Sequence, residues 1–426
     1  MDNYILDSNT GKNCNQSMLA RFRPTTALKR NPEAKESEMQ FKTKVHNEPR
    51  LHAMMDRRGI DVLIVRGVEN SKYFSGFFHN GGNLGYRPFA AFLFRDPAKA
   101  DAMIVPAVDL HLAMERTWIQ DVRAYVMSEL KTDVDTYFYP DFLSAAKAVL
   151  TERNVKGLTV GTEGDSLTAG FKAELHGLLD SLGCQTVDVA YDLELVRMVK
   201  TPFEIDCLKR AVDITIKAHE SFRAAIKPGN TDADLFRAAG ARMLNEGAHG
   251  IKTINIACGP ETSFSAHNLF PTGHVIKRGD FVKVDMGALV FGYPADFVRS
   301  YFVGEASEHH QEIWKRLNEV QIELGHWLKP GLTASEVFER GYTNISKYLD
   351  NFPREFVGHG IGHATHEQPK MSKTNKTVIE PNTVVCLEFS YYHQGTRHHT
   401  EDTFLIKESG VEWWTEACPR ELIVQV

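Results

Sequence analysis

Two aspartates near residue 290 occupy positions where a carboxylate needs a charged partner. Asp285 and Asp296 are both found in KVDMGALVFGYPADFVRSYFVG, each within an apolar, β-rich run. A buried carboxylate is unfavourable unless it is paired or bound to a metal ion. Gly287 and the segment 292–294 predict a hairpin that brings both carboxylates together, where they repel each other unless a cation lies between them. A structural salt bridge, for example with Arg299, is the alternative interpretation of this pair alone.

A second pair of carboxylates repeats the arrangement further along the chain. Glu388 lies in the apolar run VVCLEFSYY, and Glu401 follows in TEDTFLI, where we expect another strand to begin. A turn at residues 393–395 separates them. The pattern therefore predicts a second hairpin with two inward carboxylates.

A glycine-rich segment with several histidines, EFVGHGIGHATHEQP, lies between the two hairpins. Its glycines allow close approach of the backbone and unusual dihedral angles. His359 and His366 are candidate metal ligands or proton donors, because imidazole binds first-row divalent metals and titrates near neutral pH. A surface loop without chemistry is the alternative interpretation of this segment taken alone.

Together these side chains form a set of hard oxygen ligands and one imidazole. Such a set suits Mn, Co, Zn or Fe(II) better than copper or an iron–sulfur cluster. Four carboxylates balance the charge of two divalent cations, and two such ions about 3.5–4 Å apart can activate water and polarise a carbonyl group. We therefore predict a two-metal hydrolase with the ligands Asp285, Asp296, His359, Glu388 and Glu401.

Composition excludes several other classes of protein. The chain has 426 residues, of which 49 are basic and 55 are acidic. The resulting formal charge of −6 does not indicate a protein that binds nucleic acid. It contains no apolar stretch of about 18 residues and no signal-peptide pattern, so we expect no membrane association. Six scattered cysteines without zinc or redox spacing indicate reduced thiols. We expect a cytoplasmic protein.

The pattern of elements predicts an extension followed by two domains. Residues 1–47 are polar and aperiodic, which indicates a solvated extension. Residues 48–191 alternate strands such as IDVLIVRG with helices such as DFLSAAKAVLTERN, which is typical of an α/β domain. Residues 192–426 begin with helices, one with Thr201 as its N-cap and Pro202 at its first position, and continue with antiparallel hairpins. This second order indicates an α+β domain.

The ligand order resembles that of the pita-bread metallopeptidases, which include Xaa-Pro aminopeptidase, prolidase, methionine aminopeptidase and the metal-free relative creatinase. The family's sequence of Asp, Asp, His, Glu and Glu is present here as VDMGA, ADFVRSYFVG, GHGIG, LEF and TEDT. The resemblance covers about residues 50–426. It implies a pita-bread catalytic domain, an antiparallel sheet covered by helices, preceded by a smaller creatinase-like α/β domain.

The same resemblance implies a role for each predicted metal ligand. Asp285 and Asp296 would bind one metal ion, and His359 and Glu388 would bind the other. Asp296 and Glu401 would bridge the two ions.

Three further functional residues follow from the resemblance. Glu388 matches the family's proton shuttle, and His366 matches the histidine that steadies the tetrahedral intermediate. His267, in IACGPETSFSAHNLFPTG, matches a histidine that faces the substrate, although an exposed turn histidine is the alternative. The family also implies a homodimer in which the N-terminal domain helps to close the partner's active site, consistent with the aromatic segments KYFSGFFHN and NLGYRPF. Packing of these aromatic residues within their own domain is the alternative interpretation.

Three departures from the family surround the expected substrate site. Glu388 is followed by Phe-Ser rather than Pro-Gly, and His363 stands where the family often has an apolar residue. His399 occupies the position, two residues before the last glutamate, where prolidases usually place arginine. The nearest arginine is Arg397, which we expect in a flexible turn. We expect His399, Arg397 and His363 to contact the substrate.

These observations predict a hydrolase of an amide or peptide bond, similar to Xaa-Pro peptidases acting on short peptides. The replaced arginine favours an alternative, a non-peptide hydrolase of a small amide or amidine such as creatine or ectoine. A lyase of the dimethylsulfoniopropionate type is disfavoured, since that enzyme replaces the histidine at the position of His366. A binding module without activity is disfavoured because the ligand set is complete.

Overall fold

The computed structural model describes residues 42, 44–78, 88–126, 138–164, 168–260, 270–350, 352 and 354–426. No helix in these ranges is both long and apolar enough to cross a membrane. Most of the predicted extension, residues 1–47, lies outside the described residues. Its last part is not a solvated tail, since Val45 and His46 are buried. The ring of His46 packs 5.5 Å from Phe74 and 5.6 Å from Trp118, so the packed body begins before residue 47.

The N-terminal part of the chain folds around a six-stranded mixed sheet. Its strands are Val62–Val65 (β1), Ala90–Phe94 (β2), Ala102–Pro106 (β3), Asp121–Tyr125 (β4), Thr159–Thr162 (β5) and Gln185–Asp188 (β6). Their order across the sheet is β4-β3-β2-β1-β5-β6, with β1–β2 and β2–β3 antiparallel and the other pairs parallel. β1, β2 and β3 are buried throughout, as expected for strands covered on both faces.

Helices cover this sheet, and their ends follow local sequence signals. The first helix buries Leu51, Met54 and Met55, which share one face, and it ends at Gly59 with a φ of 63°, as its sequence predicts. The helices are Glu48–Arg58 (α1), Val68–Ser75 (α2), Leu110–Arg116 (α3), Phe142–Glu152 (α4), Ala169–Ser181 (α5) and Ala190–Met198 (α6), with a 3₁₀ turn at Ala107–Asp109.

The C-terminal part contains two further sheets that hold the predicted site. The strands are Gly250–Cys258 (β7), Phe281–Val290 (β8), Tyr293–Pro294 (β9), Phe297–Val303 (β10), Gly358–Gly360 (β11), Val384–His393 (β12), Thr396–Lys407 (β13), Gly410–Trp413 (β14) and Ile423–Val424 (β15). One sheet has the order β15-β10-β8-β7, with β9 paired to β8, and the other has the order β11-β12-β13-β14. β10 packs against β13, so the two sheets meet at these strands.

Among the described residues of this part, four helices pack on the sheets, and three of them begin with a capping box. Thr201, Thr231 and Thr333 each accept a hydrogen bond from the backbone three residues on. The helices are Pro202–Ala225 (α7), Asp232–Asn245 (α8), Glu308–Trp327 (α9) and Ala334–Ile345 (α10). The apolar face of α7 packs on β8. The α/β part followed by helix-covered antiparallel sheets confirms the predicted fold class.

One strand begins earlier than the sequence predicts. We expected the last hairpin strand to start near Glu401, but β13 starts at Thr396. The connection is a two-residue turn in which Gln394 and Gly395 have φ values of 45° and 76°, as tight hairpins require. Residues 397–400 therefore belong to the sheet rather than to a flexible turn.

Candidate metal centre

The first predicted hairpin places two aspartates on one face of its sheet. Asp285 in β8 lies opposite Val298, and the register brings Asp296, just before β10, level with Gly287. Cross-strand neighbours share a face, so the two carboxylates are diagonal neighbours. A β-carbon at Gly287 would lie 1.8 Å from the carbonyl oxygen of Ala295. Glycine at this position is therefore required for the close approach of the two chain segments.

The second hairpin supplies two glutamates, and a short neighbouring strand supplies a histidine. Glu388 in β12 lies directly opposite Glu401 in β13. His359 lies in β11, which pairs with β12 through Cys386. These three side chains therefore come from adjacent strands of one sheet, where the register fixes their separation.

The ligands from the two sheets meet around one imidazole nitrogen. His359 Nε2 lies 3.4 Å from Glu401 Oε1, 3.7 Å from Glu388 Oε1 and 3.8 Å from Asp296 Oδ2. Asp285, Asp296 and Glu401 have carboxylate oxygens within 4.8 Å of one another. The structure thus brings all five predicted ligands into one cluster.

Burial and mutual repulsion make this cluster unfavourable without added positive charge. Burial, with repulsion from Glu401, raises the pKa of Asp296 well above its usual value. Burial, with repulsion from Glu388, does the same to the pKa of Glu401. Burial lowers the pKa of His359, so its ring is neutral and has a free lone pair near pH 7. A bound cation would relieve the two carboxylate shifts, and the neutral ring of His359 is the form that binds metal.

Two atoms of the cluster are orphaned. His359 Nε2 and Glu401 Oε1 are buried and have no hydrogen-bond partner among the described residues. The other ring nitrogen of His359 lies 3.1 Å from the carbonyl oxygen of Gly360, the kind of contact that fixes the tautomer of a metal-binding histidine. Buried polar atoms are rarely left unpaired. This donor set therefore fits divalent metal ions.

Glu388 has two further partners on the side away from His359. Its Oε2 forms an ion pair with Arg354 and lies 2.9 Å from His399 Nε2. Burial raises the pKa of Glu388, but Arg354 and His399 outweigh burial and hold this pKa well below its usual value. Arg354 also donates from Nη1 to Ser390 Oγ over 3.2 Å. The sequence offered no signal for this ion pair, because Arg354 and Glu388 lie more than thirty residues apart along the chain.

The two residues expected to replace the prolidase arginine are both buried in β13. His399 contacts Glu388, a predicted ligand, and burial lowers its pKa well below the usual value. Arg397 does not lie in a flexible turn, so that expectation is wrong. It pairs with Tyr392 across the hairpin, and its guanidinium lies 5.6 Å from the Tyr392 ring. Arg397 cannot swing towards a substrate without breaking this packing.

The histidines of the glycine-rich segment lie in different surroundings. The ring of His366 is 3.9 Å from that of His359 and faces the exposed side of the cluster. His363 instead packs against Tyr293 and Phe78, at 4.2 Å and 5.2 Å. The structure therefore places His366 beside the predicted ligands and His363 among aromatic rings. His267 lies outside the described residues.

Comparisons with known families cover both parts of the chain. Residues 206–408 match the model of metallopeptidase family M24, and residues 49–199 match the creatinase/prolidase N-terminal domain. The first match contains all five clustered ligands. The family uses divalent metal ions.

Relatives and solved structures agree with these matches. An Xaa-Pro dipeptidase from Pyrococcus furiosus is 28% identical over 378 residues, which are 88% of this chain and 98% of the relative. An Xaa-Pro dipeptidase from Bacillus anthracis is 25% identical, with a TM-score of 0.72 over 88% of this chain and 98% of that chain. An X-Pro aminopeptidase from Thermotoga maritima, 24% identical, shares the fold with a TM-score of 0.75, over 89% and 99% of the two chains. Residues 206–408 therefore form a domain of metallopeptidase family M24, preceded at residues 49–199 by a creatinase/prolidase N-terminal domain.

Proposed function

We propose that this protein is a two-metal hydrolase that cleaves the C–N bond before proline in short peptides. The observation that carries the proposal is the convergence of five ligands around the orphaned atoms of His359 and Glu401. The relatives named Xaa-Pro dipeptidase, from Pyrococcus furiosus and Bacillus anthracis, support the substrate class.

The ligands divide between the two proposed ions by position. Asp285 and Asp296 would hold one ion, His359 and Glu388 the other, and Asp296 and Glu401 would be shared. Four carboxylates would neutralise two divalent cations. When bound, the ions would supply a water molecule of lowered pKa and polarise the scissile carbonyl group.

Glu388 is the proposed proton carrier. Arg354 and His399 keep its carboxylate ionised, so it can accept a proton from the attacking water. The same carboxylate would then return the proton to the leaving amine. Arg354 and His399 touch Glu388 and are therefore positioning residues.

His366 is the proposed hydrogen-bond donor to the reacting carbonyl oxygen. It stands next to His359 and has one side exposed, so a substrate could reach it. A donor aimed at the oxygen that gains charge stabilises the transition state more than the ground state. We propose that His267 supplies a second contact to the substrate, as the family resemblance implies.

The proposed binding of the substrate's C-terminal end differs from that in prolidase. Arginine holds a carboxylate with a fixed, bidentate, permanently charged fork. Here His399 occupies that position, is buried with a lowered pKa and already contacts Glu388. We therefore propose a substrate whose group at this position is polar but uncharged, such as a longer peptide. This same observation favours the second candidate, a small non-peptide amide.

A substrate panel tests the proposal. Xaa-Pro dipeptides, their C-terminal amides, Xaa-Pro tripeptides and small cyclic or N-methylated amides are compared by kcat/KM. We expect Xaa-Pro tripeptides and amides to exceed free dipeptides, and His399→Arg to raise the relative rate on free dipeptides. His399→Gln, which can still hydrogen-bond to Glu388, is the matched control and should leave the ranking unchanged.

Two outcomes would overturn parts of this account. We propose that the site does not bind the free C-terminal carboxylate of a dipeptide. A strong wild-type preference for free Xaa-Pro dipeptides would contradict this. Turnover confined to the small amides, with no peptide cleaved, would replace the peptidase by the second candidate.

A further inference from the structure

A buried arginine of β10, Arg299, contacts the strand that carries Glu401. Rather than forming the structural salt bridge that was the alternative interpretation of Asp285 and Asp296, it pairs with Asp402, over 3.0 Å between Nη2 and Oδ1. Neighbouring residues of a strand point to opposite faces, so Asp402 lies on the face of β13 away from the Glu401 carboxylate. Arg299 therefore contacts the β12–β13 hairpin from behind the metal centre.

The guanidinium group of Arg299 ties the backbone of Glu401 to the C-terminal segment. Its Nη1 donates to the carbonyl oxygen of Glu401 over 2.9 Å, and its Nε donates to the carbonyl oxygen of Pro419 over 3.1 Å. Its Nη2 also donates to the carbonyl oxygen of Cys418 over 3.3 Å. The donors of an arginine lie in one rigid plane, so they fix several acceptors relative to one another. Arg299 thereby restrains the backbone position of Glu401.

Asp402 is fully buried and has a second arginine partner. Its Oδ2 forms an ion pair with Arg420, and its Oδ1 accepts a hydrogen bond of 2.6 Å from Thr415 Oγ1. Arg420 Nη1 in turn donates to Gln321 Oε1 over 3.4 Å. A buried carboxylate is tolerated when charged and hydrogen-bonding partners surround it in this way. The network therefore continues from β13 to α9, where Gln321 lies.

Gln321 connects the network to both strands of the hairpin. Its Nε2 donates to the carbonyl oxygen of Leu387 over 2.7 Å, and its Oε1 accepts a hydrogen bond from Thr400 Oγ1. Leu387 directly precedes Glu388, and Thr400 directly precedes Glu401. The side chain of Gln321 is fully buried, so water does not compete for these contacts. The network therefore holds the chain beside both glutamates of the metal centre.

The two glutamates need such restraint, because like charges on opposing strands destabilise the pairing of those strands. Glu388 lies directly opposite Glu401, and their carboxylates repel each other until cations are bound. The contacts of Arg299 and Gln321 on the other face oppose a separation of the strands, since each contact fixes an atom at or next to a glutamate. The network therefore keeps the two carboxylates close together where their repulsion favours separation.

We propose that Arg299, Asp402 and Gln321 are positioning residues that hold Glu388 and Glu401 in place for metal binding. This inference rests on the proposed two-metal function. The three residues act through the backbone of the ligand strands rather than by contact with an ion or the substrate. Loss of an outer partner of a metal ligand lowers metal affinity by about 10–100-fold. We therefore expect substitutions here to weaken metal binding in a protein that is still folded.

Manganese binding to the full-length protein tests this role. Chelated wild type, Arg299→Lys and the control Arg123→Lys are titrated with Mn²⁺, and circular dichroism checks that each protein is folded. Lysine keeps the positive charge beside Asp402 but lacks the planar fork that also reaches Glu401. Arg123 is a buried arginine of β4 that pairs with two carboxylates of the N-terminal part. We expect Mn²⁺ binding to be about tenfold weaker in Arg299→Lys and unchanged in the control.

The magnetic coupling of the bound ions gives a second readout, which a loss of stability alone does not change. Two Mn²⁺ ions that share Glu401 give the electron paramagnetic resonance spectrum of a coupled pair, whereas separated ions give independent signals. We expect the coupled spectrum in wild type and its weakening in Arg299→Lys and in Gln321→Met, which removes the contacts to both hairpin strands. Unchanged affinity and an unchanged coupled spectrum in both folded variants would overturn the inference. A wild type that binds no pair of ions would overturn the proposed function, and this inference with it.

Discussion

The orphaned atoms of His359 and Glu401, on the two strands that flank β12, lie only 3.4 Å apart. In water such atoms would be hydrogen-bonded, and in a dry interior each costs about 1–3 kcal/mol when unpaired. The two unpaired atoms therefore raise the free energy of the folded protein, and a cation bound to both of them would lower it. The same reasoning explains the upward pKa shifts of Asp296 and Glu401.

His366→Ala separates the proposed catalytic role of this residue from metal binding. The substitution removes a donor to the reacting oxygen while every proposed ligand stays, so metal content should be unchanged. We expect kcat to fall by about two to four orders of magnitude with a smaller change in KM. Steady-state kinetics and metal analysis on the same sample measure both. Loss of metal from His366→Ala would contradict this role.

At the level of elements, the first hairpin depends on Gly287 because any β-carbon there meets the backbone of residue 295. Gly287→Ala should push the two segments apart and separate Asp285 from Asp296. We expect a loss of about 1–3 kcal/mol in the free energy of unfolding, with weakened metal binding.

Gly177→Ala provides the matched control. A β-carbon at Gly177, in the middle of α5, meets nothing within 4 Å. Alanine there should stabilise the protein by roughly 0.5–1 kcal/mol without changing metal content. Denaturant unfolding measures the change in the free energy of unfolding for Gly287→Ala and for Gly177→Ala. Equal changes in the two variants would refute the steric explanation.

The sequence predicted those elements whose patterns are local. Glycine and apolar runs located the hairpin of Asp285 and Asp296, and Thr201 marked the start of α7. The start of β13 was missed because residues 396–400 are polar yet buried, so no apolar alternation reveals the strand. The pairing of Arg354 with Glu388 was missed for a different reason, since long-range contacts leave no local pattern.

At the scale of the whole molecule, a buried ionic network joins the N-terminal part to the glycine-rich segment. Glu367 accepts hydrogen bonds of 3.1 Å from Arg197 Nε and from Lys200 Nζ. Arg197 also donates to Asn70, which in turn donates to Glu163. Glu367 lies next to His366, so this network connects the first sheet to the proposed donor.

The network predicts a pH dependence of stability. Burial raises the pKa of Glu367, but Arg197 and Lys200 outweigh it and lower the pKa from 4.5 to about 2. The ionised carboxylate of Glu367 therefore stabilises the folded protein fully above about pH 4.5. This contribution to the free energy of unfolding is lost as the pH falls towards 2. Glu367→Gln should cost about 3–5 kcal/mol at pH 7, because two buried cations lose their partner.

Urea unfolding between pH 6 and pH 2.5 checks this prediction. The difference between wild type and Glu367→Gln should shrink as the pH falls below about 4.5. Glu305→Gln, at an exposed position, serves as the control and should track wild type. A difference that stays constant over this range would refute the assigned role of the carboxylate.

Two domains, over residues 48–191 and 192–426, and a homodimer that completes the active site are proposals. The predicted extension over residues 1–47 already joins the packed body at Val45 and His46. Of the aromatic residues that suggested the dimer, Tyr73, Phe74 and Phe77 are buried within their own chain, while residues 79–87 lie outside the described ranges. We expect sedimentation at assay concentration to show a dimer. A fully active monomer would refute the requirement for a partner.

The central claim is that five convergent ligands hold the ions on which turnover depends. The most direct measurement is Mn²⁺ binding to chelated, verified metal-free protein, followed together with recovery of activity. Mn²⁺ prefers carboxylate ligands, which this centre supplies. We expect two ions per chain to restore turnover in wild type, and Asp296→Asn and Glu401→Gln to lose both metal and activity. Undiminished turnover in the verified metal-free protein would contradict the account.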